Sequence, residues 1–522
     1  MSAYLTKYLL KDFVNCPRLF YRKYHHPEAF PSEESFAALN GREFEKLAKR
    51  SSRFAGLREI GRSGNDAMAL EETQKALEAG VSFLAEASFA AGPLFIRADV
   101  VEIHHKELTL YEIKSKSSKL YGKKTGALDR AYLLDLTFQM LVLEKAGYSL
   151  KAIYLCHPDG SFHRHGAVDP DEFVAFDDVT DQCQANKKEV ENEVALALRC
   201  ASGKTEPDHH FNSGCKDCPL KETCFDDWGK DNVALLLNAD YKKKEELAER
   251  HIHTFVDLSA HPELLDDQQK IQVEAMVSGK KHINFSAIRS FMAGLGYPQH
   301  PLYFLDFETL APCIPDFDGF HANEIYPTQY SLHKLEKGYG ALTHTEFLGD
   351  GLHDPRRALA EQLCQDLKEP GKILIYNKGM EPQRVEDMIK FFPDLDAELI
   401  PIQQEMVDLM DVFMDLNYYD KAFGPRYTIK IVLPTLCPND PALNYHALPG
   451  SQNGNDAQLD YYSLRTKTPE ERAKIRAGLL VYCHLDTFAE VKVYAKLLEE
   501  IADPTFPQIA EIIRQYEKAY FK

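Results

Sequence analysis

The chain has 522 residues, of which 61 are Lys or Arg and 80 are Asp or Glu, so its formal net charge is −19. At roughly 150 residues per domain, this length predicts about three domains. A hydrophobic fraction of 44% is too high for a disordered chain. The strong acidity argues against a histone-like coat for DNA, although an enzyme could still hold nucleic acid locally.

The sequence shows neither a membrane-spanning segment nor a secretory signal, and this indicates its cellular compartment. No apolar run approaches the roughly 18 residues of a membrane-spanning helix, and the first 21 residues show no apolar block with a cleavage site. Eleven Cys, an odd number, favour a reducing environment over a disulfide framework. We therefore expect a cytoplasmic protein with no membrane partner.

The first predicted domain spans 1–228 and mixes helices with strands. A hairpin is predicted over 95–115, because two β-rich runs flank a polar turn. Helical patterns cover 131–147 and 183–200, and a strand is predicted between them at 151–157.

Four cysteines of this domain stand apart from seven that are scattered singly. Cys215, Cys218 and Cys224 follow a C-x2-C-x5-C spacing, and Cys16 lies far upstream in NCPRLFYRKYH. Three close thiolates and one distant thiolate can close a four-sulfur site that ties the two ends of a domain together. The irregular spacing favours a [4Fe–4S] cluster, with a structural Zn²⁺ as the alternative.

The predicted hairpin carries a candidate metal site. Glu112 and Lys114 are two residues apart on its second strand and share one face, and the hairpin can bring Asp99 beside them. Two carboxylates and the intervening carbonyl of Ile113 suit Mg²⁺ or Mn²⁺. The Lys could orient a nucleophile or stabilise charge on a scissile phosphate. A surface ion pair is the alternative interpretation.

A basic segment follows this strand. Residues 106–130 contain seven basic and three acidic residues, a local charge of +4 in a chain of −19. Such a segment could follow a phosphate backbone, although a solvated loop has a similar composition. The candidate nucleic-acid contacts are Lys116, Lys119, Lys123, Lys124 and Arg130.

The order Cys, D…ExK, Gln and three further Cys resembles the PD-(D/E)XK nucleases of the RecB type. More narrowly, it resembles their iron–sulfur branch, which includes the CRISPR-adaptation exonucleases; FVNCPRLFYRKY matches the F-x-x-C-P-R start of that branch. The resemblance implies that Gln139 positions the active site. Glu45 stands where many relatives have a His that binds metal, and Leu143 replaces the Tyr of a Q-x3-Y pattern.

Residues 229–297 are rich in Lys and Glu, and short apolar stripes predict helices. A small helix–turn–helix element is predicted over 245–260. We interpret this segment as a helical connector, and a helical contact to a DNA backbone is the alternative.

The second predicted domain spans 298–500 and begins with an apolar strand in PLYFLDFETL. A second buried strand is predicted at 372–377, and 501–522 is expected to form a C-terminal helix. Helices are predicted at 381–392, 404–416 and 469–498. Strands followed by helices favour a layered α/β fold.

Acidic residues interrupt these apolar elements. Asp306 and Glu308 are two residues apart on the first strand and project to one side, which is costly in a core unless they are paired or bind metal. Glu381 follows the second strand, and Tyr482 and Asp486 are four apart on one helix face. Four carboxylates around two divalent ions suit in-line attack on a phosphodiester, with Tyr482 orienting the water. N-caps or surface charges are the alternative for single acids.

This segment resembles the DnaQ-like (DEDD) 3′–5′ exonucleases, which have an RNase H-like fold. DFET matches the D-x-E strand of that family, and Tyr482-x3-Asp486 matches its Tyr-type third motif. The second motif is matched by Asn377-x3-Glu381, with Glu in place of the usual Asp.

The segment GPRYTIKIVLP resembles one in bacterial proteins that pair these two nuclease halves. Its Arg426 and Lys430 are four residues apart. They could contact substrate phosphates or lie on one surface helix face.

Together, the motifs predict a metal-dependent nuclease of α/β class with two active sites, joined by the helical connector. The resemblances imply DNA ends or single strands as substrate, opposite polarities of the two halves, and a role in repair, recombination or phage defence. RNA is the alternative substrate. A nucleic-acid-binding scaffold with a degenerate half is a third hypothesis, favoured by the replacements at Glu45, Leu143 and Glu381. Protein partners are left unknown by the sequence.

Overall fold

The chain forms two compact units in the computed structural model. The first comprises Met1–Cys224 and Ala311–Glu324, and the second comprises Phe225–Leu310 and Ile325–Lys522. The predicted connector and the C-terminal helix are therefore parts of the second unit. The described residues are 4–31, 33–61, 65–116, 120–122, 126–438, 440, 443, 445, 448 and 450–520. No helix within them is both long enough and apolar enough to span a membrane.

The first unit is built on one mixed sheet. Its strands are β1 (Arg58–Glu59), β2 (Phe83–Ala91), β3 (Leu94–His104), β4 (Glu107–Ile113), β5 (Ser149–Pro158) and β6 (Val174–Asp178). Within the described residues, these six strands lie side by side in chain order. β2, β3 and β4 form an antiparallel meander, and β5 runs parallel to β4. The predicted hairpin and the strand at 151–157 are confirmed.

Helices cover this sheet. They are α1 (Lys7–Asn15), α2 (Pro17–His25), α3 (Phe36–Ala48), α4 (Asp66–Glu78), α5 (Arg130–Lys145), α6 (Pro170–Phe173) and α7 (Thr180–Ser202). Parallel neighbours need a crossover, and α5 supplies it between β4 and β5. The carboxylate of Asp129 caps α5 by accepting from the backbone N–H of Ala131 at 2.9 Å. The two helices predicted at 131–147 and 183–200 are confirmed as α5 and α7.

The segment Ala311–Glu324 belongs to the first unit although the chain enters it from β-strands of the second. It is fastened by polar contacts. The backbone carbonyl of Ser115 accepts from Asn323 Nδ2 at 3.0 Å and lies 3.0 Å from Cys313 Sγ. Asn40 Nδ2 donates to the carbonyl of Ala311 at 3.0 Å, and Cys313 is fully buried.

The second unit contains a second mixed sheet and a separate two-stranded pair of β7 and β13. The strands of this unit are β7 (His282–Ile283), β8 (Leu302–Leu310), β9 (Tyr326–Leu335), β10 (Leu342–Leu348), β11 (Lys372–Ile375), β12 (Met406–Asp408) and β13 (Tyr418–Tyr419). In the described part of the chain, five of them form a sheet in the order β10-β9-β8-β11-β12. β9 is antiparallel to β8 and β10, whereas β11 is parallel to β8 and β12.

Several helices of this unit pack against the sheet, and the others lie beside it. The helices of the unit are α8 (Tyr241–Glu249), α9 (Phe255–Ser259), α10 (Asp267–Ser278), α11 (Phe285–Gly294), α12 (Arg356–Asp366), α13 (Glu381–Phe391), α14 (Asp396–Gln404), α15 (Asp411–Met414), α16 (Ile429–Leu436), α17 (Gly454–Ser463), α18 (Pro469–Glu500) and α19 (Phe506–Tyr520). The predicted strands at 301–310 and 372–377 and the helices at 381–392 and 469–498 are confirmed as β8, β11, α13 and α18.

The helix predicted at 404–416 is wrong. This stretch contains the end of α14, the strand β12 and the short helix α15. Its apolar residues recur at three- and four-residue spacing, which imitates a helix. β12 nevertheless pairs with β11, and these backbone hydrogen bonds to a central strand outweigh a weak local propensity.

The two faces of β8 pack against different cores. Phe304 lies in the core that contains the apolar residues of α18, while Leu305 lies in the core of α12, α13 and α14. Side chains alternate along a strand, so Asp306 and Glu308 share the face of Phe304. The two acids are thereby directed toward α18.

Candidate active sites

The first group of predicted residues meets where the β3–β4 hairpin packs against α5. Asp99 Oδ2 accepts from the backbone N–H of Ile113 at 2.7 Å. Gln139 Nε2 on α5 donates to Glu112 Oε2 at 2.6 Å. Lys114 Nζ lies 2.6 Å from Glu112 Oε1. The structure therefore brings all four predicted side chains of this site together.

Two charged residues that the sequence interpretation missed complete this cluster. Lys7 on α1 places its Nζ 2.6 Å from Glu112 Oε1 and 3.5 Å from Asp135 Oδ1. Asp135 also accepts from Gln139 Nε2 at 2.8 Å and from Lys114 Nζ at 3.1 Å. Glu112 is 0% exposed and thus receives two ammonium groups and one amide, the compensation that a buried carboxylate requires.

The two acids of the hairpin have opposite electrostatic environments. Burial, reinforced by the charge of Glu112, raises the pKa of Asp99 to about 7. Burial would also raise the pKa of Glu112, but Lys114 and Lys7 outweigh it and lower that pKa to about 2. Glu112 is therefore ionised near neutral pH, while Asp99 exchanges its proton there.

Glu45, the predicted additional ligand, lies in an adjacent charged cluster. Its Oε1 accepts from Lys49 Nζ at 2.5 Å, and the same ammonium lies 3.1 Å from Glu86 Oε1. The residues on either side of Glu86, Ala85 and Ala87, pair with Val100 and Ala98 of β3, and Glu86 has a left-handed φ of 57°. A non-glycine residue in that region is strained and often marks a functional site. Leu143 is fully buried in α5.

The four cysteines of the predicted cluster approach one another. The thiol of Cys224 interacts electrostatically with those of Cys16, Cys215 and Cys218. The backbone N–H of Asn212 lies 3.4 Å from Cys215 Sγ, and that of Leu220 lies 3.4 Å from Cys218 Sγ. Such contacts are expected around metal-bound sulfur.

The predicted basic segment is only partly described. Lys119, Lys123 and Lys124 lie outside the described residues. Lys116 is exposed, and Arg130 Nη2 at the start of α5 donates to Glu189 Oε1 at 3.1 Å.

The second group of predicted residues meets between β8 and α18. One carboxylate oxygen from each of Asp306, Glu308 and Asp486 lies within 4.8 Å of the other two, and all three residues are half-buried. Glu381, at the start of α13, shares a hydrogen bond with Asp306, which one of the two carboxyl groups must donate. The Oε2 atom of Glu381 is buried without a hydrogen-bond partner. The four predicted carboxylates therefore converge.

Crowding of these carboxylates disfavours their ionised forms. Burial, and next the charge of Asp486, raises the pKa of Glu308 to about 8 and that of Asp306 well above its usual range. Burial also raises the pKa of Glu381 to about 7 and that of Asp486 to about 6. A divalent cation would compete with these protons, because it neutralises the same repulsion.

Asp408, at the end of β12, is an acid that the sequence interpretation missed. It is 5% exposed, and its carboxylate accepts from the backbone N–H groups of Asn377, Lys378 and Met410 at 3.0, 2.7 and 2.9 Å. These bonds fix the loop that leads to Glu381. The wrongly predicted helix at 404–416 concealed this residue.

Glu490 on α18 is a second missed acid. It is 2% exposed, and its Oε2 has no hydrogen-bond partner. Burial, followed by the charges of Asp306 and Glu381, raises the pKa of Glu490 well above its usual range. Its position four residues after Asp486, on the same helix face, was the available signal.

Hydroxyl and ammonium groups border the carboxylates. The phenol of Tyr482 interacts with Asp486, and Lys430 Nζ lies 3.5 Å from the Tyr482 hydroxyl. Tyr445, also missed, donates its hydroxyl to Asp486 Oδ1 at 2.7 Å. Arg426 does not share a helix face with Lys430, because Thr428 is the N-cap of α16 and the helix begins only at Ile429.

Comparison with known proteins gives one family match. The model of a family described as a domain of unknown function, DUF2779, matches residues 303–428. The match includes Asp306, Glu308, Glu381 and Asp408, and it ends before α18. The search of curated proteins gave no match.

Proposed function

We propose that the protein is a metal-dependent nuclease with two active sites, one in each compact unit. The convergence of Asp306, Glu308, Glu381 and Asp486 carries this proposal. Four acids in a partly buried pocket repel one another, and this cost is recovered when they bind a cation.

The sheet orders support the two nuclease resemblances. A meander followed by a helix and a parallel strand, as in β2-β3-β4-α5-β5, fits a PD-(D/E)XK-like core. In the second unit, the strands taken in chain order from β8 to β12 lie in the order 3-2-1-4-5, with the second antiparallel. That order fits a DnaQ-like fold of RNase H type.

The donor sets fit hard divalent cations. Oxygen ligands suit Mg²⁺ and Mn²⁺. The Oε2 atom of Glu381 has no hydrogen-bond partner and could serve as a metal ligand. When bound, such ions polarise a phosphodiester and activate water. In the second unit Asp306, Glu308, Glu381 and Asp486 would hold them; in the first unit Asp99, Glu112 and the carbonyl of Ile113 would do so.

The chain's own side chains would orient the reactants. The Tyr482 hydroxyl, between Asp486 and Lys430, is placed to hold a water molecule by a hydrogen bond. The Lys430 ammonium could pair with a phosphate oxygen of the substrate. In the first unit, the Lys114 ammonium would pair with a phosphate oxygen of the substrate, while the hydrogen bond from Gln139 holds Glu112 in position.

The irregular spacing of the four cysteines favours a [4Fe–4S] cluster, with Zn²⁺ as the alternative. Cys16, Cys215, Cys218 and Cys224 would hold it, since the thiol of Cys224 interacts with those of the other three. Such a cluster would tie the start of the first unit to its end.

DNA with free ends or single strands is the substrate that the two resemblances favour, with RNA as the alternative. The test uses full-length protein purified without oxygen, Mg²⁺ or Mn²⁺, and end-labelled DNA and RNA. Asp306→Asn should abolish cleavage from one end, and Asp99→Asn cleavage from the other. The exposed acids Asp267 and Glu71 supply control variants, Asp267→Asn and Glu71→Gln.

The results separate the candidate functions. Cleavage that persists in the protein carrying both Asp99→Asn and Asp306→Asn contradicts both site assignments, and cleavage of RNA alone favours the alternative substrate. One observation favours a degenerate first half: both oxygens of Glu112 are already held by Lys7, Lys114 and Gln139. Binding of DNA without any cleavage in Asp306→Asn would support that reading.

A further inference from the structure

Three histidines of the second unit lie side by side, apart from the carboxylates. They are His333 on β9, His344 on β10 and His484 on α18. One ring nitrogen from each lies within 4.8 Å of the other two, and the ring centroids are 4.5–4.8 Å apart. At 100° per residue, His484 lies on the face of α18 opposite to Tyr482 and Asp486. The cluster is therefore distinct from the proposed active site.

The C-terminal helix α19 adds a fourth polar group. The hydroxyl of Tyr516 lies 3.0 Å from His333 Nε2 and 2.7 Å from His484 Nε2. A phenol has one hydrogen to donate, so it can serve only one of these nitrogens as donor. Two imidazole nitrogens and one oxygen, from three separate elements, thus converge on one point.

The dimensions of the cluster match those of a zinc site. With Zn–N bonds of about 2.0–2.1 Å and tetrahedral angles, the centroids of three imidazole rings lie roughly 5 Å apart, close to the observed separations. Nitrogen ligands suit zinc, whereas Mg²⁺ prefers oxygen.

The surroundings of the rings also match. A metal-bound His usually engages its second nitrogen with a polar neighbour. His333 Nδ1 lies 2.8 Å from Thr487 Oγ1. Ser331 Oγ lies 2.9 Å from His344 Nε2 and 2.6 Å from the same Thr487 oxygen. His333 is 0% and His484 1% exposed, so the rings are fixed in place by packing.

We propose that His333, His344 and His484 bind a zinc ion, with Tyr516 as the fourth ligand. Tyr516 binds as the phenolate, and its proton passes to the solvent. The ion joins β9, β10 and α18 to α19 and so fastens the C-terminal helix to the sheet. This inference does not depend on the proposed nuclease activity.

The test measures zinc binding by the full-length chain. The protein is freed of metal with a chelator and titrated with Zn²⁺, and the bound zinc is counted per chain. His344, with 11% of its side chain exposed, is the least buried of the three histidines, so His344→Gln is the test variant. His353, with 83% exposed, supplies the control, His353→Gln.

The wild-type protein and His353→Gln should bind one more zinc ion per chain than His344→Gln. The affinity of that ion should fall by more than the roughly 10–100-fold that loss of an outer-sphere partner causes. Zinc held by the cysteines or carboxylates is the same in all variants, so it cancels when their stoichiometries are compared. Equal stoichiometry and affinity in the wild type and His344→Gln would overturn the proposal.

Tyr516→Phe is the second test variant, to be used if His344→Gln does not fold, because Phe keeps the ring and its packing. Zinc affinity should fall at least about 10-fold in this variant, and zinc should no longer slow proteolysis of α19. Cobalt in this site should show visible bands of nitrogen and oxygen coordination that weaken in Tyr516→Phe. Unchanged zinc affinity and an unchanged cobalt spectrum would contradict the assignment.

Discussion

Glu112 is a buried carboxylate whose oxygens are held by three side chains from three separate stretches of the chain. Lys7 and Lys114 approach Oε1, both at 2.6 Å, and Gln139 donates to Oε2. A buried charge is tolerated only with such compensation. Loss of one partner therefore costs stability even though the others remain.

Lys7→Met should lower the free energy of unfolding by about 2 kcal/mol, the typical value of a hydrogen bond to a charged group. Chemical denaturation of the metal-free protein measures it. Lys11→Met is the matched control, since Lys11 is exposed on the same helix α1. A loss no larger than that of the control would show that Lys7 does not stabilise Glu112.

At the scale of elements, α18 places Asp486 beside the acids of β8 and His484 beside the histidines of β9 and β10. Burial raises the pKa of Asp486 on α18 to about 6, that of Glu381 to about 7, and that of Glu308 on β8 to about 8. A carboxyl group whose pKa is raised in the folded state contributes most stability below its unfolded pKa. That contribution is lost as the pH rises through the folded value.

The metal-free second unit should therefore become less stable between about pH 6 and pH 8, with a melting temperature lower by on the order of 5 °C. Saturating Mg²⁺ or Mn²⁺ should flatten this dependence, and Glu308→Gln should reduce it in the absence of metal. Thermal unfolding followed by circular dichroism across this range provides the measurement. A melting temperature that rises with pH in the metal-free protein would contradict the assigned environment.

Local patterns were sufficient for some elements and not for others. The two-residue spacing of Asp306 and Glu308 in an apolar strand predicted their shared face, and helical periodicity predicted α18. β12 was missed because its pairing with β11 is a long-range contact that spacing alone does not report. Lys7 was missed for the same reason: its partner Glu112 lies 105 residues away.

For the whole molecule, the proposed cluster would join Cys16, the N-cap of α2, to Cys224, where the first segment of the first unit ends. A bond between Cys16 and the segment that ends at Cys224 closes a loop of about 200 residues, and closing so long a loop removes much entropy from the unfolded chain. The stability of the first unit should then depend on this cluster.

Cys16→Ser should remove the brown colour and most of the iron from protein purified without oxygen. The melting temperature of the first unit should fall, while that of the second unit stays unchanged. Cys437→Ser, at a half-buried position in the second unit, is the control. Calorimetry and iron analysis make the comparison. Loss of zinc in place of iron in Cys16→Ser, relative to the wild type, would replace the cluster assignment with the zinc alternative.

The short stretch between β8 and β9 constrains how this protein can be dissected. The backbone passes from one unit to the other at three points, after residues 224, 310 and 324, so no single cut yields both units intact. A truncation ending at residue 224 would lack Asn323, whose side chain donates to the carbonyl of Ser115. Ser115 directly follows Lys114 of the first candidate site. If such a truncated protein were inactive, the missing segment 311–324 of the first unit would explain the loss. The result would not show that the first site lacks activity in the full-length chain. Point variants in the full-length chain are therefore the sound way to assign activity to either half.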